Sequence, residues 1–332
     1  MCIATWAATA TDLISMRNRR GQPGQKTGAN FNEMQPDPSR VGGVAEAPFV
    51  RLPDPATLFE ARARRLRSLA DGHPLADYLN FLGHVVDAQA GAVAALPPPA
   101  PVPPQQLARA AEHVMPPLSG DQVRGNADLA AVLARILDHV ALDAAPDAAQ
   151  AAAATVRAMT DPQRLALAAD IMEGAYPVDR VAESLFVAAA LQVHLARLAT
   201  QLDAGTVQPL PEGLCPVCGG VPVSSLVVGW TQASKARYCA CSLCNTLWNH
   251  VRIRCTACGS TDGIAYYTIE HGSKTVGVET CATCRSYIKH LQQHEDVLLD
   301  PVADDVASYA LDLLARQRDF RRSSLNPLFL TG

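Results

Sequence analysis

The sequence predicts an α+β multidomain chain: an all-α N-terminal domain, then two tandem four-cysteine modules, then a C-terminal helix. Two observations predict it. Residues 54–202 are rich in Ala and Leu at helical spacing. Four Cys-x-x-Cys pairs then crowd into 215–284, at Cys215/Cys218, Cys241/Cys244, Cys255/Cys258 and Cys281/Cys284. Twenty-two residues separate the first pair from the second and the third from the fourth, and every cysteine returns forty positions later. The pattern is an internal repeat.

Taken in order, residues 1–48 read as a disordered leader. They are mildly apolar at the start, are interrupted by Asp12, and carry Arg19-Arg20 without the apolar segment that an export signal needs. Cys2 lies there and receives no role. The helical domain spans 49–208. Asp54-Pro55 is an N-cap followed by proline at the first helical position, and Leu58, Phe59, Ala63, Leu66 and Leu69 keep helical spacing up to Gly72. Pro74 opens a second helix carrying Leu75, Leu79, Leu82, Val85 and Val86. Six prolines between Pro97 and Pro104 predict a stiff, extended linker. Helices resume with Leu129, Val132, Leu133, Ile136 and Leu137. They continue after Asp161-Pro162 with Leu165, Leu167 and Ile171, stopping at Gly174. A last long helix places Val187, Leu191, Leu195, Leu198 and Leu202 on one face. His84, His113, His139 and His194 are scattered along these helices without metal-site spacing.

The first metal module spans 209–250 and the second 251–292. A tetrahedral metal needs four soft ligands converging on one point, and a hairpin brings one Cys-x-x-Cys turn opposite another. The spacing therefore predicts ligand sets Cys215, Cys218, Cys241, Cys244 and Cys255, Cys258, Cys281, Cys284, for two metal ions, iron or zinc. The residue after each turn favours positive φ, which suits Gly219, Asn245 and Gly259; Arg285 breaks the trend. Val221, Val223, Leu226, Val227 and Val228 predict one strand before a turn at Thr231–Lys235. Ile264, Tyr266, Tyr267 and Ile269 predict another before Gly272, with Val276 and Val278 leading back. Cys239 reads as a small apolar residue on a strand. Between Gly213 and His290, seven bases (Lys235, Arg237, Arg252, Arg254, Lys274, Arg285, Lys289) face three acids (Asp262, Glu270, Glu279), an excess that predicts compensation of thiolate charge. In 293–332, Asp300-Pro301 caps a helix with Val302, Val306, Tyr309, Ala310 and Leu313 on one face, and an apolar terminus, Leu325–Phe329, docks on its own domain.

Composition excludes several classes. A net charge of −4 with 18% charged residues argues against a general polyanion binder. No continuous apolar run approaches the roughly eighteen residues of a membrane span. Ten cysteines in a long chain without an export signal point to a reducing compartment rather than a disulfide scaffold. No dinucleotide fingerprint, P-loop, nucleophile elbow or His-Glu-x-x-His motif occurs, so a non-enzyme is expected.

The chain resembles the formate dehydrogenase accessory protein family, FdhE. The resemblance rests on Cys215-Pro216-Val217-Cys218-Gly219, Arg237-Tyr238, Cys241-Ser242-Leu243-Cys244, Trp248 and Arg252. It continues through the Cys255/Cys258 knuckle, the Cys281/Cys284 knuckle with Tyr287, Ile288 and Lys289, Ala303-Asp304-Asp305, and Ser323-Ser324-Leu325-Asn326-Pro327. It implies two rubredoxin-like/zinc-ribbon modules in a cytoplasmic assembly factor for respiratory, molybdenum-dependent formate dehydrogenase. It also implies contact with the catalytic subunit of that enzyme before export. Two rival readings are a rubredoxin-like electron-transfer protein and a zinc-ribbon nucleic-acid-binding protein. Neither a nucleic acid nor a membrane span is expected.

Overall fold

The computed structural model describes residues 16–18, 47–119, 127–143, 145–211, 213–270 and 272–329. Most of the expected leader, Cys2 included, lies outside them. Seven helices build the N-terminal part: α1 (Pro55–Ala70), α2 (Ala76–Ala95), α3 (Pro104–Glu112), α4 (Ala127–His139), α5 (Asp147–Ala158), α6 (Asp161–Met172) and α7 (Val181–Ala199). Asp54 caps α1 as expected, accepting a hydrogen bond from the Ala56 amide at 3.2 Å. Gly72 and Gly174 follow α1 and α6 with φ of 64° and 76°, which costs glycine little.

Helix α7 corrects the single-face expectation. Every residue from Ser184 to Ala199 is buried, because α1, α2, α4, α5 and α6 all contact this helix. Its surface is mostly apolar all round, as a central helix requires, and its buried Gln192 and Arg197 are hydrogen-bonded. Residues 178–199 are also long and apolar enough to cross a membrane, a property missed when only unbroken apolar runs are counted, yet they form the core of the domain. The proline segment differs from a free connector too. Val102 is buried, its amide donates to Gln201 Oε1 at 3.0 Å, and Arg197 donates to the carbonyls of Leu96 and Pro97, so the segment is fastened along the end of α7.

The remaining elements are strands β1 (Met16–Asn18), β2 (Val50–Arg51), β3 (Pro222–Val227), β4 (Arg237–Cys241), β5 (Leu247–Asn249), β6 (Ile264–Ile269), β7 (Val276–Cys281), β8 (Ser286–Leu291) and β9 (Arg321–Arg322), with helices α8 (Ala303–Ala307) and α9 (Tyr309–Gln317). The order is β1-β6-β7-β8-β3-β4-β5-β2, with β9 beside β8. The two modules therefore share one sheet. A parallel pairing, Ser225 with His290 and Leu226 with Leu291, joins β3 of the first to β8 of the second.

The last helix also departs from expectation. It breaks at Ser308, whose hydroxyl donates to the Asp304 carbonyl; beyond the break Tyr309 packs on Phe329 as expected, but Leu311, Asp312 and Ala315 are the buried residues instead of Ala310 and Leu313. The terminus docks as expected. Leu328 and Phe329 are buried, Tyr78 of α2 donates to the Leu328 carbonyl at 2.7 Å, and the Leu325 amide donates to the Pro222 carbonyl at 3.0 Å.

Candidate metal centres

All eight predicted cysteines come together in two groups of four, first knuckle with second and third with fourth. In each group the four sulfurs lie within 4.8 Å of one another. Sulfur–sulfur approaches are 3.5 Å for Cys215–Cys244, 3.4 Å for Cys218–Cys241, 3.7 Å for Cys255–Cys284 and 3.8 Å for Cys258–Cys281. A tetrahedron with metal–sulfur bonds of roughly 2.3 Å has sulfur–sulfur edges of about 3.8 Å. Both groups fit one four-coordinate ion each, and four sulfur donors suit zinc or iron equally.

The backbone explains how each turn forms. Gly219, Asn245, Gly259 and Arg285 all have positive φ, between 56° and 79°. Arg285 thus takes the same left-handed conformation as the others, at the cost a non-glycine residue bears there. Its guanidinium stacks 4.2 Å from the Phe320 ring and donates to the Arg318 carbonyl, contacts that offset that cost. The turns repeat in detail: the Cys215 amide meets the Gly220 carbonyl at 2.8 Å, and the Cys255 amide meets the Ser260 carbonyl at 2.8 Å.

Groups around the sulfurs repeat as well. Each group has a backbone donor on one sulfur, from non-equivalent knuckles: the Leu243 amide donates to Cys241 Sγ and the Ala257 amide to Cys255 Sγ, each at 3.4 Å. A hydroxyl stands two residues after the last cysteine of each set: Thr246 Oγ1 is 3.2 Å from Cys244 Sγ, and Ser286 Oγ is 2.9 Å from Cys284 Sγ. Such neighbours tune a metal–thiolate site. These hydroxyls were missed in the cysteine pattern, although they too sit forty positions apart.

The two groups differ in burial. Cys215, Cys218, Cys241 and Cys244 are all buried, whereas Cys258 is exposed and Cys284 half-buried. Without a cation the first group is electrostatically frustrated. Burial raises the Cys215 and Cys241 thiols well above their ordinary range, while hydrogen bonds from Cys215, Cys241 and Cys244 hold Cys218 well below it. In the second group the Ser260 backbone pulls the Cys258 thiol down, but partial desolvation and neighbouring sulfurs outweigh this and push it up to about 12. A divalent ion held by each group of four sulfurs would take the place of the protons and relieve the repulsion.

The helical domain supports the first group from three sides. The Leu118 amide donates to the Val217 carbonyl at 2.9 Å. Gln192 of α7 donates to the Ser242 carbonyl at 2.8 Å. Arg62 of α1, 1% exposed, donates to Asn245 Oδ1 at 3.0 Å and to Asp300 at 3.0 Å.

The expected compensation of thiolate charge needs correction. Arg237 pairs with Glu279 at 2.9 Å, and Lys289 pairs with Asp312 at 2.6 Å and Asp305 at 3.4 Å. Arg322 completes the latter cluster, 2.6 Å from Asp305 and 3.1 Å from Asp312. These buried bases neutralise carboxylates. Asp305 and Asp312 come from α8 and α9, beyond the window in which the charges were counted. Cys239 is buried on β4, opposite Ser225 and Trp248, and belongs to neither sulfur group.

Comparison with known proteins adds a consistent set of matches. Family models described as FdhE N-terminal, FdhE central domain and FdhE C-terminal domain match residues 47–212, 214–252 and 253–329. A Rhizobium meliloti protein named "Protein FdhE homolog" is 44% identical over 305 residues, covering 91% of this chain and 99% of its own. A Haemophilus influenzae protein of the same name is 34% identical over 294 residues, covering 87% and 93%. The crystal structure of the FdhE protein from Pseudomonas aeruginosa superposes with a TM-score of 0.77 at 34% identity, covering 86% of this chain and 100% of that one.

Proposed function

Since the chain belongs to the FdhE family, we propose that it is a non-catalytic, cytoplasmic accessory factor for respiratory molybdenum-dependent formate dehydrogenase. It engages the catalytic subunit of that enzyme before export and aids its maturation. In this reading Cys215, Cys218, Cys241 and Cys244 hold one metal ion, and Cys255, Cys258, Cys281 and Cys284 hold a second. The observation that carries the reading is the pair of four-sulfur groups set at different depths in one sheet, the deeper gripped by the helical domain. Such a body presents a second, accessible centre on a rigid support. A tagged copy expressed under formate-respiring conditions is expected to capture the catalytic subunit from anaerobic cytoplasmic extract. Its repeated absence from the captured material contradicts the proposal.

The exposure of Cys258 favours one further reading, electron exchange at the second group. Iron bound there supplies one-electron chemistry with unchanged ligands, whereas zinc supplies only structure. The protein's part is to hold the sulfurs, donate the Ala257 amide to Cys255, and leave Cys258 within reach of a partner. Protein isolated without air and carrying iron absorbs visible light when oxidised. A colourless, zinc-loaded preparation removes this reading.

A further inference from the structure

Residues 251–254 join the first module to the second, and their backbone is held in an unusual way. Arg237, fully buried, donates from one guanidinium nitrogen to the carbonyls of Val251 at 3.3 Å, Arg252 at 3.5 Å and Arg254 at 3.0 Å, while Glu279 anchors its other nitrogen. Tyr266 donates its hydroxyl to the Arg252 carbonyl at 2.8 Å. With the carbonyls drawn inward, the side chains turn out: Val251 is 59% and Ile253 58% exposed. Two large apolar side chains held outward on a fixed backbone are uncommon in a surface that meets only water.

Behind this segment lies an open cleft of about 420 Å³ in the sheet face. Gly277 forms part of its floor, and a Cβ there would come within 2.5 Å of the Tyr267 carbonyl. Tyr267 and Val278 also line it, and they pack with Tyr287 and Leu311 in a small apolar cluster. Arg252, Lys274 and His290 line it, and among the described residues no carboxylate does. Tyr266 and His290 stack on its wall with ring centroids 5.2 Å apart, and Ser225 fixes the histidine through Nδ1 at 3.0 Å. Glu279 on β7 is buried and committed to Arg237.

We propose that the 251–254 ridge and this cationic cleft are the docking surface for a protein segment that alternates acidic and apolar side chains. The inference rests on the accessory reading for the identity of the partner. The charge of the cleft selects an acidic group, and Val251 and Ile253 select a macromolecule over a small anion, which would leave both apolar side chains in water. Because the ridge is preorganised by Arg237, the partner binds it without ordering it first. The charges at the rim steer the encounter, so capture weakens as salt rises.

The test uses the full, metal-loaded chain and two probes. A peptide of alternating Glu and Leu, titrated into isotope-labelled protein, is expected to shift amide signals at 251–254, 266–268 and 274–278. The charge reversal Arg252→Glu with Lys274→Glu abolishes these shifts and lowers capture of the dehydrogenase subunit at least tenfold, with two metal ions per chain and the melting temperature unchanged. Both residues are exposed, so the variant folds. Absence of peptide shifts at the ridge, or full capture by the charge-reversed variant, overturns the surface. Peptide shifts at the ridge with no capture by the wild type sink the accessory reading and leave the surface standing for another acidic partner. Inorganic pyrophosphate that shifts the cleft signals without displacing captured protein points to a small-anion site and overturns the docking proposal.

Discussion

The two four-sulfur groups share a backbone geometry and a neighbouring hydroxyl, and differ in burial and in what packs on them. Cys215, Cys218, Cys241 and Cys244 belong to the same apolar cluster as Phe59, Leu82 and Leu191, so the first centre is part of the main core. The second is outside that cluster; its module rests on a small satellite of Val278, Tyr287, Leu311 and Ala315, with Cys258 left in solvent. A repeat in sequence has thus been given two environments. The ligand geometry was duplicated and retained, while burial, which governs stability and access, diverged with the elements packed on each copy. The first centre staples the helical domain to the sheet. The second is presented to the outside.

The sharpest way to break this comparison is to remove one ligand from each centre. Apparent binding free energies of structural zinc sites are on the order of 10 kcal/mol, as large as the whole stability of a typical domain. Cys218→Ser is therefore expected to abolish cooperative unfolding of the helical domain, read by circular dichroism on heating. Cys258→Ser leaves that transition in place and lowers metal content by one ion per chain.

Next come the buried ion pairs. Leaving a buried charge without its partner costs about 3–5 kcal/mol. Arg237→Met, which strands Glu279 and frees the 251–254 carbonyls, is expected to destabilise the second module by that order in urea unfolding. Arg237→Met combined with Glu279→Leu recovers most of the loss. Failure of the double variant to recover anything places the cost in the lost carbonyl contacts instead.

The Asp305 cluster adds a pH-dependent term. Burial opposes ionisation of Asp305, but Arg322 and Lys289 more than offset it and hold its carboxyl below the ordinary range. Its stabilisation is then fully present above the unfolded value of about 3.9 and is lost as pH falls through the lower folded value. The stability gap between the wild type and Asp305→Asn, measured by urea unfolding, is expected to narrow below about pH 4.

The smallest effect concerns the turns. Replacing a positive-φ glycine by alanine costs roughly 1 kcal/mol through backbone strain alone. Gly219→Ala is expected to exceed Gly72→Ala in thermal melts, because the added Cβ at 219 also meets Pro116 of the helical domain at 3.3 Å, whereas one at 72 meets nothing within 4 Å.

The ligand sets were legible in the sequence because Cys-x-x-Cys spacing is a local geometric requirement, and so were strands β3 and β6, which begin at Pro222 and Ile264. The helices α1, α2, α4 and α6 were legible from caps and apolar spacing, with Asp54, Gly72 and Gly174 marking ends as they should. Where the outcome depended on distant partners, the reading stopped short. Helix α7 looked one-faced because periodicity cannot show that helices cover the other sides. The roles of Arg237 and Lys289 were misjudged because their carboxylates sit forty-two positions away at Glu279 and on α8 and α9. The different depths of the two centres could not be read from a repeat whose spacing is identical in both copies.

A chelator challenge tests the central claim most directly. Metal-loaded protein is mixed with excess chelator and the released ion is followed in time, together with the helical signal. The account predicts two phases: one ion per chain leaves fast while helicity is unchanged, and the second leaves slowly, together with unfolding. In Cys258→Ser only the slow phase remains. Release of both ions in one phase, or a fast phase that survives in Cys258→Ser, would contradict it.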